Sequence, residues 1–216
     1  MLTSRSVRMM RFSFARNGPE VSPLYDACAK GDEDVVCYRI NEHPGELAKT
    51  DMIGRTPLFM AAIAGHKEIV REILSTDAGW ATLNKSDATQ TTPLLAALNY
   101  HQHDTALALV EAGANVFLKD NEGMSPLFEA CSCGFIDIVT KLAMRGADPN
   151  QLRGTRSLLY AIAMQKDDNQ LVLRTLVECG ADAGLKWDRS WHAETGECTN
   201  ELCEAVYRVT EATKKE

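Results

Sequence analysis

From residue 22 onward, apolar positions recur with the 3.6-residue period of α-helices, in short paired runs separated by glycine- or histidine-bearing turns. The clearest run is Gly54 Arg55 Thr56 Pro57 Leu58 Phe59 Met60 Ala61 Ala62 Ile63 Ala64 Gly65 His66. Gly54 permits a turn that a Cβ would resist. Thr56 can cap the helix that Pro57 opens at its first position, where no N–H is missed. Leu58, Ala61 and Ala62 fall on one face, and the two alanines let a neighbouring helix approach closely. Gly65 ends that helix. Ile69, Val70, Ile73 and Leu74 then resume the same period, so the pattern predicts two helices joined by a tight turn.

This unit repeats. With Pro57 as the marker, its equivalents are Pro23, Pro93, Pro126 and Ser157, separated by 34, 36, 33 and 31 residues. A leucine follows the marker (Leu24, Leu58, Leu94, Leu127 and, in the last unit, Leu159), and an alanine falls three further on in the first four units (Ala27, Ala61, Ala97, Ala130) and two further on in the last (Ala161). A period near 33 implies stacked helical units, none of which can bury its apolar face alone. The first unit is the most polar, with Asp26, Lys30, Asp32, Glu33 and Asp34, as suits an N-terminal cap. At the other end, Thr199 or Asn200 can cap a helix with Glu201 and Glu204 in its first turn and Lys214 and Lys215 in its last. Leu202, Ala205, Val206 and Val209 form its buried stripe, and Trp187 and Trp191 are expected to cover the end of the stack.

These residues resemble the ankyrin repeat, whose pattern is Asp-x-x-Gly-x-Thr-Pro-Leu-His-x-Ala-Ala, then a Gly-His turn and a second helix closing on Gly-Ala-Asp. The second unit carries Asp51, Gly54, Thr56, Pro57, Leu58, Ala61, Ala62, Gly65 and His66. The fourth carries Asp120, Gly123, Ser125, Pro126, Leu127, Ala130 and Gly134, and the third Asp87, Thr92, Pro93 and Leu94. Second helices close on Gly113 Ala114 Asn115, Gly146 Ala147 Asp148 and Gly180 Ala181 Asp182. The resemblance implies an all-α solenoid of about five repeats plus a C-terminal capping helix. The expected organisation is a leader or tail at 1–21, repeats over 22–184 (about 22–53, 54–86, 87–119, 120–150 and 151–184), and a degenerate cap at 185–216.

The chain also departs from the pattern. The histidine after the leucine is replaced by Tyr25, Phe59, Leu95, Phe128 and Leu159, so the family's side-chain hydrogen bonds between repeats are expected to give way to apolar stacking. The third unit has Gln90 for glycine and three extra residues around Gly79 and Trp80, which predicts a longer, less regular finger. The fifth has Arg156 Ser157 for Thr-Pro and is two residues short between Gly146 and Gly154.

Composition adds limits. With 45% hydrophobic and 25% charged residues in 216, the chain is ordinary globular material. It has no run of the roughly 18 apolar residues a membrane span needs. Seven scattered cysteines (Cys28, Cys37, Cys131, Cys133, Cys179, Cys198, Cys203) suit reduced thiols in an intracellular, by default cytoplasmic, setting, where the sequon at Asn84 is irrelevant. The net charge of −7 hides a basic start: Arg5, Arg8, Arg11 and Arg16 stand among residues 1–16 without an acid, and the acidic remainder argues against nucleic-acid binding. On a helical wheel those arginines span an arc of about 140°, with Leu2, Val7, Met9, Met10 and Phe14 opposite. The segment reads as a mitochondrial transit peptide, a disordered basic tail, or a membrane-surface or partner-docking helix.

Catalytic and metal chemistry find little support. His192, Cys198 and Cys203 cluster in sequence but lack a Cys-x-x-Cys knuckle, and partly buried thiols account for them. His101 and His103 lie in a turn and, two apart, share no helix face. There is no phosphate-cradling glycine loop and no adjacent nucleophile and base. The expectation is therefore a non-enzyme without cofactor or metal.

In the ankyrin pattern, the two residues after Asp, the residue after Gly and the two before the Gly-His turn line a concave groove that holds partners. Here they are Met52, Ile53, Arg55 and Ile63; Thr89, Asn99 and Tyr100; Glu122, Met124, Ser132 and Cys133; and Leu152, Arg153 and Met164. Exposed apolar residues in such a row mark an interaction site. The implied function is a protein-interaction scaffold that presents an apolar groove to a helix or extended segment. The alternative is a permanent structural subunit of a larger assembly, a mitochondrial one if residues 1–16 are a transit peptide.

Overall fold

The computed structural model describes residues 22–153, 156–163 and 169–182. The expectations for the basic leader, Gly154, Met164 and the C-terminal cap with Trp187, Trp191, His192, Cys198 and Cys203 lie outside those residues.

Helices come in pairs. The first unit has α1 (Pro23–Lys30) and α2 (Glu33–Glu42) with a 3-10 turn over Pro44–Ala48, and the second has α3 (Pro57–Ala64) and α4 (Lys67–Leu74) with a short α5 (Asp77–Trp80). The third has α6 (Pro93–Asn99) and α7 (His103–Glu111), and the fourth α8 (Pro126–Cys133) and α9 (Ile136–Met144). In the fifth, a minimal antiparallel hairpin (Leu152–Arg153 against Arg156–Ser157) leads into α10 (Leu158–Ala163) and α11 (Gln170–Glu178). First helices stack on first helices, α1 on α3, α3 on α6, α6 on α8 and α8 on α10, and second helices stack likewise to form the outer row.

The repeated cap explains why each unit starts where it does. Ser22, Thr56, Thr92 and Ser125 each accept the N–H three residues on, at 3.1–3.3 Å, with proline in the helix's first turn. Leu24, Leu58, Leu94 and Leu127 follow, all at most 1% exposed, and join a continuous core with Ile69, Ile73, Leu109, Ile138 and Leu142. In the fifth unit the leucine directly after the marker is Leu158, fully buried, rather than Leu159. Leu159 takes the histidine position instead, and all five histidine replacements (Tyr25, Phe59, Leu95, Phe128, Leu159) are buried.

Tyr25 corrects the expectation that no hydrogen bond between repeats survives. The Tyr25 hydroxyl donates to Asp51 Oδ2 of the next unit at 2.7 Å. The hydroxyl makes the difference, because Phe and Leu have no such group to offer.

The third finger is also not longer. Asp87 N–H bonds Thr91 O just as Asp51 bonds Arg55 and Asp120 bonds Met124, so the loops are of equal length. The extra residues are absorbed upstream in α5, capped by Thr76, whose hydroxyl accepts Gly79 N–H at 3.1 Å. Gly79 is obligatory there, since a Cβ would collide with the Ile73 backbone carbonyl. Gln90 does the glycine's work at a cost, adopting φ 60°, beside the +86° of Gly54 and +75° of Gly123. Left-handed backbone costs a residue with a Cβ about 1–2 kcal/mol. Gln90→Gly is therefore expected to stabilise the chain by about 0.5–1 kcal/mol, part of the relief being offset by glycine's greater unfolded freedom. The urea midpoint measures it.

Candidate protein-binding surface

The fingers are built on aspartates. Asp51 Oδ1 accepts the N–H groups of Ile53 (3.0 Å) and Arg55 (2.9 Å). Asp87 Oδ1 accepts those of Thr89 (2.8 Å) and Thr91 (3.0 Å), and Asp120 Oδ1 those of Glu122 and Met124 (2.9 Å each). One carboxylate oxygen thus holds each loop closed and turns its second and third residues outward. Neighbouring fingers are joined through the backbone, Ala88 N–H to Ile53 O at 2.8 Å and Asn121 N–H to Thr89 O at 3.0 Å.

That construction decides which anticipated residues are available. Met52 and Ile53 stand at the tip of the second unit's finger, 70% and 44% exposed, and Leu152 is 59% exposed in the fifth unit's hairpin. Thr89 and Glu122 are exposed at the intervening tips, so the exposed apolar row is interrupted by polar residues. Ile63, Asn99, Tyr100 and Cys133 are half-buried at or beside the ends of the inner helices. The Cys133 thiol donates to Leu98 O at 3.4 Å, and buried Asn99 Oδ1 has no hydrogen-bond partner among the described residues. Arg153 lies in the hairpin, paired with Arg156.

Met124 corrects the expectation that it is an exposed anchor. It is 5% exposed and belongs to the core. The residue after the finger's glycine turns back under the loop, because its N–H must reach the Asp120 carboxylate at the loop's base. Thr91, at the same place in the third unit, is also buried, and Arg55 is half-buried.

Arg55 belongs to a cluster that sequence reasoning missed. Its guanidinium Nε and Nη2 both lie 2.6 Å from Asp51 Oδ2, the oxygen that also accepts the Tyr25 hydroxyl. Burial raises the Asp51 carboxyl, but the hydrogen bonds from Tyr25 and from Arg55 outweigh it and hold the group below the ordinary carboxylate range. The Tyr25 hydroxyl is pushed up by its burial and by its bond to Asp51. A tyrosine where the pattern has histidine, followed by an Asp and an Arg flanking the next glycine, was the available signal. A depressed carboxyl contributes stability above its unfolded pKa that is lost as pH falls through the folded one. Asp51→Asn is thus expected to cost about 2 kcal/mol near neutrality. The difference from the parent chain should shrink on acidification, as followed by denaturation at stepped pH.

Burial governs the thiols too: Cys28 is pushed up to about 12, and Cys131 and Cys179 are raised as well. None of the three offers an activated thiolate. Among the described residues no group of three or more His, Cys, Asp or Glu is arranged to hold a metal ion, and no helix is long and apolar enough to cross a membrane.

Paired helices stacked in two rows, with aspartate-closed fingers projecting between units, define a repeat solenoid that displays a surface. The chain belongs to the ankyrin-repeat family: the family described as "Ankyrin repeats (3 copies)" matches residues 24–120 and 79–153. It is 33% identical over 141 residues to the ankyrin repeat domain-containing protein SAT10 of Stachybotrys chartarum, covering 62% of this chain and 7% of that protein. It is 30% identical over 173 residues to the B-cell lymphoma 3 protein homolog of Mus musculus, covering 79% of this chain and 38% of that one. The chain thus spans well under half the length of these relatives. Among solved structures it resembles a chain in the complex of the Bd0816 predatory endopeptidase of Bdellovibrio bacteriovorus with immunity protein Bd3460. The TM-score is 0.68 at 22% identity, over 93% of this chain and 100% of that one, a likeness of fold. Ankyrin repeats are generally protein–protein interaction modules, and the family is generally non-enzymatic.

Proposed function

We propose that this chain is a non-enzymatic scaffold that holds a partner protein against its fingers and inner helix ends. The observation that carries the reading is the exposed pair Met52–Ile53, two apolar side chains fixed at a finger tip whose backbone is tied down on both sides. An apolar anchor on a rigid support binds without the ordering cost a mobile loop would meet. Ile63 and Tyr100, half-buried at the ends of inner helices, extend the surface, and Leu152 supplies a second apolar point in the fifth unit.

The partner this surface suits is an apolar helix or extended segment with basic flanks. The apolar face meets Met52 and Ile53, and the basic rim complements a chain of net charge −7 that exposes Glu122 at the fourth unit's finger. Affinity capture with the tagged full chain, compared by quantitative mass spectrometry with the Met52→Ser/Ile53→Ser variant, tests this. The expected outcome is a protein recovered with the parent and lost with the variant. Equal recovery with both would remove the finger tip from the reading.

A further inference from the structure

His103 opens α7 in the third unit, yet its ring reaches the fourth. Nε2 lies 2.9 and 3.0 Å from the two carboxylate oxygens of Asp137, at the start of α9, and Nδ1 lies 3.1 Å from Asp104 Oδ1. The ring also stands edge-on to Phe135, the N-cap residue of α9, with centroids 5.0 Å apart and planes at 82°, and His101 approaches the same ring at 6.5 Å. A neutral imidazole has one N–H and cannot donate to carboxylates on both sides. The charged ring can, and it then carries a positive charge between two negative ones.

Other polar ties cross the same joint. Lys141 Nζ meets Glu111 Oε1 at 2.6 Å, and Arg145 Nη1 donates to Val110 O at 2.6 Å. On the far side of α7, α4 brings Lys67, Glu68, Arg71 and Glu72, of which Arg71 and Glu68 pair at 3.5 Å. Among the described hydrogen-bonded ties across this joint, His103 supplies the imidazole, the side-chain type whose ordinary charge change falls in the physiological range.

We propose that His103 is a pH-sensitive staple between the third and fourth units, closed when the ring is charged and slackened when it loses its proton. The hydrogen bonds to Asp137 and then Asp104 raise the His103 pKa above its ordinary value, despite some desolvation. Burial pulls Asp137 up, but the His103 bond and the α9 amides outweigh it, so that carboxyl sits below its usual range. The signs fix the window. The histidine's contribution is fully present below its unfolded pKa and lost as pH rises through the raised folded one, while the aspartate's fades only as pH falls through its lowered value. The staple is therefore strongest between the lowered aspartate value and the raised histidine value, and loosens as pH rises through the latter. The joint it governs separates Asn99 and Tyr100 from Cys133 on the inner side, so slackening alters the spacing of the surface described above.

The test uses the full chain. The His103 ring proton is titrated by NMR, with His103→Gln giving the assignment, and amide hydrogen exchange is measured at about pH 5.5 and pH 8.5 after correction for intrinsic rates. The expected results are a midpoint above about 6.5 and exchange from α7 and α9 about two- to fivefold faster at the higher pH, a modest ratio because the ring is partly exposed. That ratio should vanish in His103→Gln and Asp137→Asn and shrink in roughly 0.5 M salt, while α2 and α4 show no matching change. A midpoint at or below about 6.5, or the same pH ratio in His103→Gln as in the parent, would overturn the proposal.

Discussion

Leu58→Ala is expected to lower the folding free energy by about 2–5 kcal/mol, a large part of a marginal total. Leu58 is fully buried on α3, the inner helix that packs on both α1 and α6, so its side chain closes contacts to two neighbouring units at once. Its neighbours Ala61 and Ala62 are also fully buried and cannot grow into the gap. Since each repeat is stabilised mainly by its neighbours, loss at this position weakens both flanking interfaces. Urea denaturation followed by circular dichroism should show a lower midpoint and a broadened transition. Leu171→Ala, at a position 61% exposed on α11, should leave the midpoint within about 0.5 kcal/mol of the parent. Equal losses at the two positions would contradict the core as described.

The second large effect falls on binding and leaves stability alone. Met52→Ser/Ile53→Ser is expected to weaken partner binding by about 2–4 kcal/mol, roughly 30- to 1,000-fold, as hot-spot truncations do. The finger does not depend on these side chains for its shape. It is closed by Asp51 Oδ1 on the Ile53 and Arg55 amides and joined to the next finger by the Ile53 carbonyl, and serine preserves both backbone groups. The urea midpoint should therefore stay within about 0.5 kcal/mol of the parent. Met124→Ser is the informative contrast. Met124 is buried in the core, so its replacement should lower stability by about 2–4 kcal/mol. The two methionine positions separate surface from scaffold.

The contrast between Met52 and Met124 also marks how far the sequence could be read. The scaffold was legible because it rests on local rules that each unit repeats: a hydroxyl cap before proline, a leucine and small alanines on one face, a glycine at the left-handed turn. Thr56, Pro57, Leu58, Ala61 and Gly65 do what their types dictate. The exposure of the finger tip was legible for the same reason, since two residues follow an aspartate that closes the loop on itself. Which way the residue after the glycine points was not legible. It depends on a carboxylate at the loop's base reaching back to that residue's amide, and a methionine suits the inside or the outside.

Two further features needed coordinates because they join residues far apart in sequence. Tyr25 and Asp51 are separated by a whole unit and meet through stacking. His103 and Asp137 do so as well, and a histidine set beside a turn gave no hint that its ring would bridge two helices. The third unit shows a different limit. Its extra residues pointed to a longer finger, whereas Thr76 and Gly79 let them wind into a helical turn and leave the finger unchanged. Gln90 and His101 adopt the left-handed conformation without being glycine because the repeat around them fixes the turn.

The central claim is that the finger tip of the second unit meets a partner protein, and site-directed photocrosslinking tests it most directly. A photoreactive amino acid is placed at Ile53 in the full chain and, in a separate sample, at Val35, a residue 37% exposed on the outer helix α2. Both are irradiated in cells or fresh extract, and adducts are identified by mass spectrometry. A defined protein adduct is expected from position 53 and a much weaker one from position 35. Adducts that form from position 35 and not from position 53 would place the binding surface on the outer helices and contradict it.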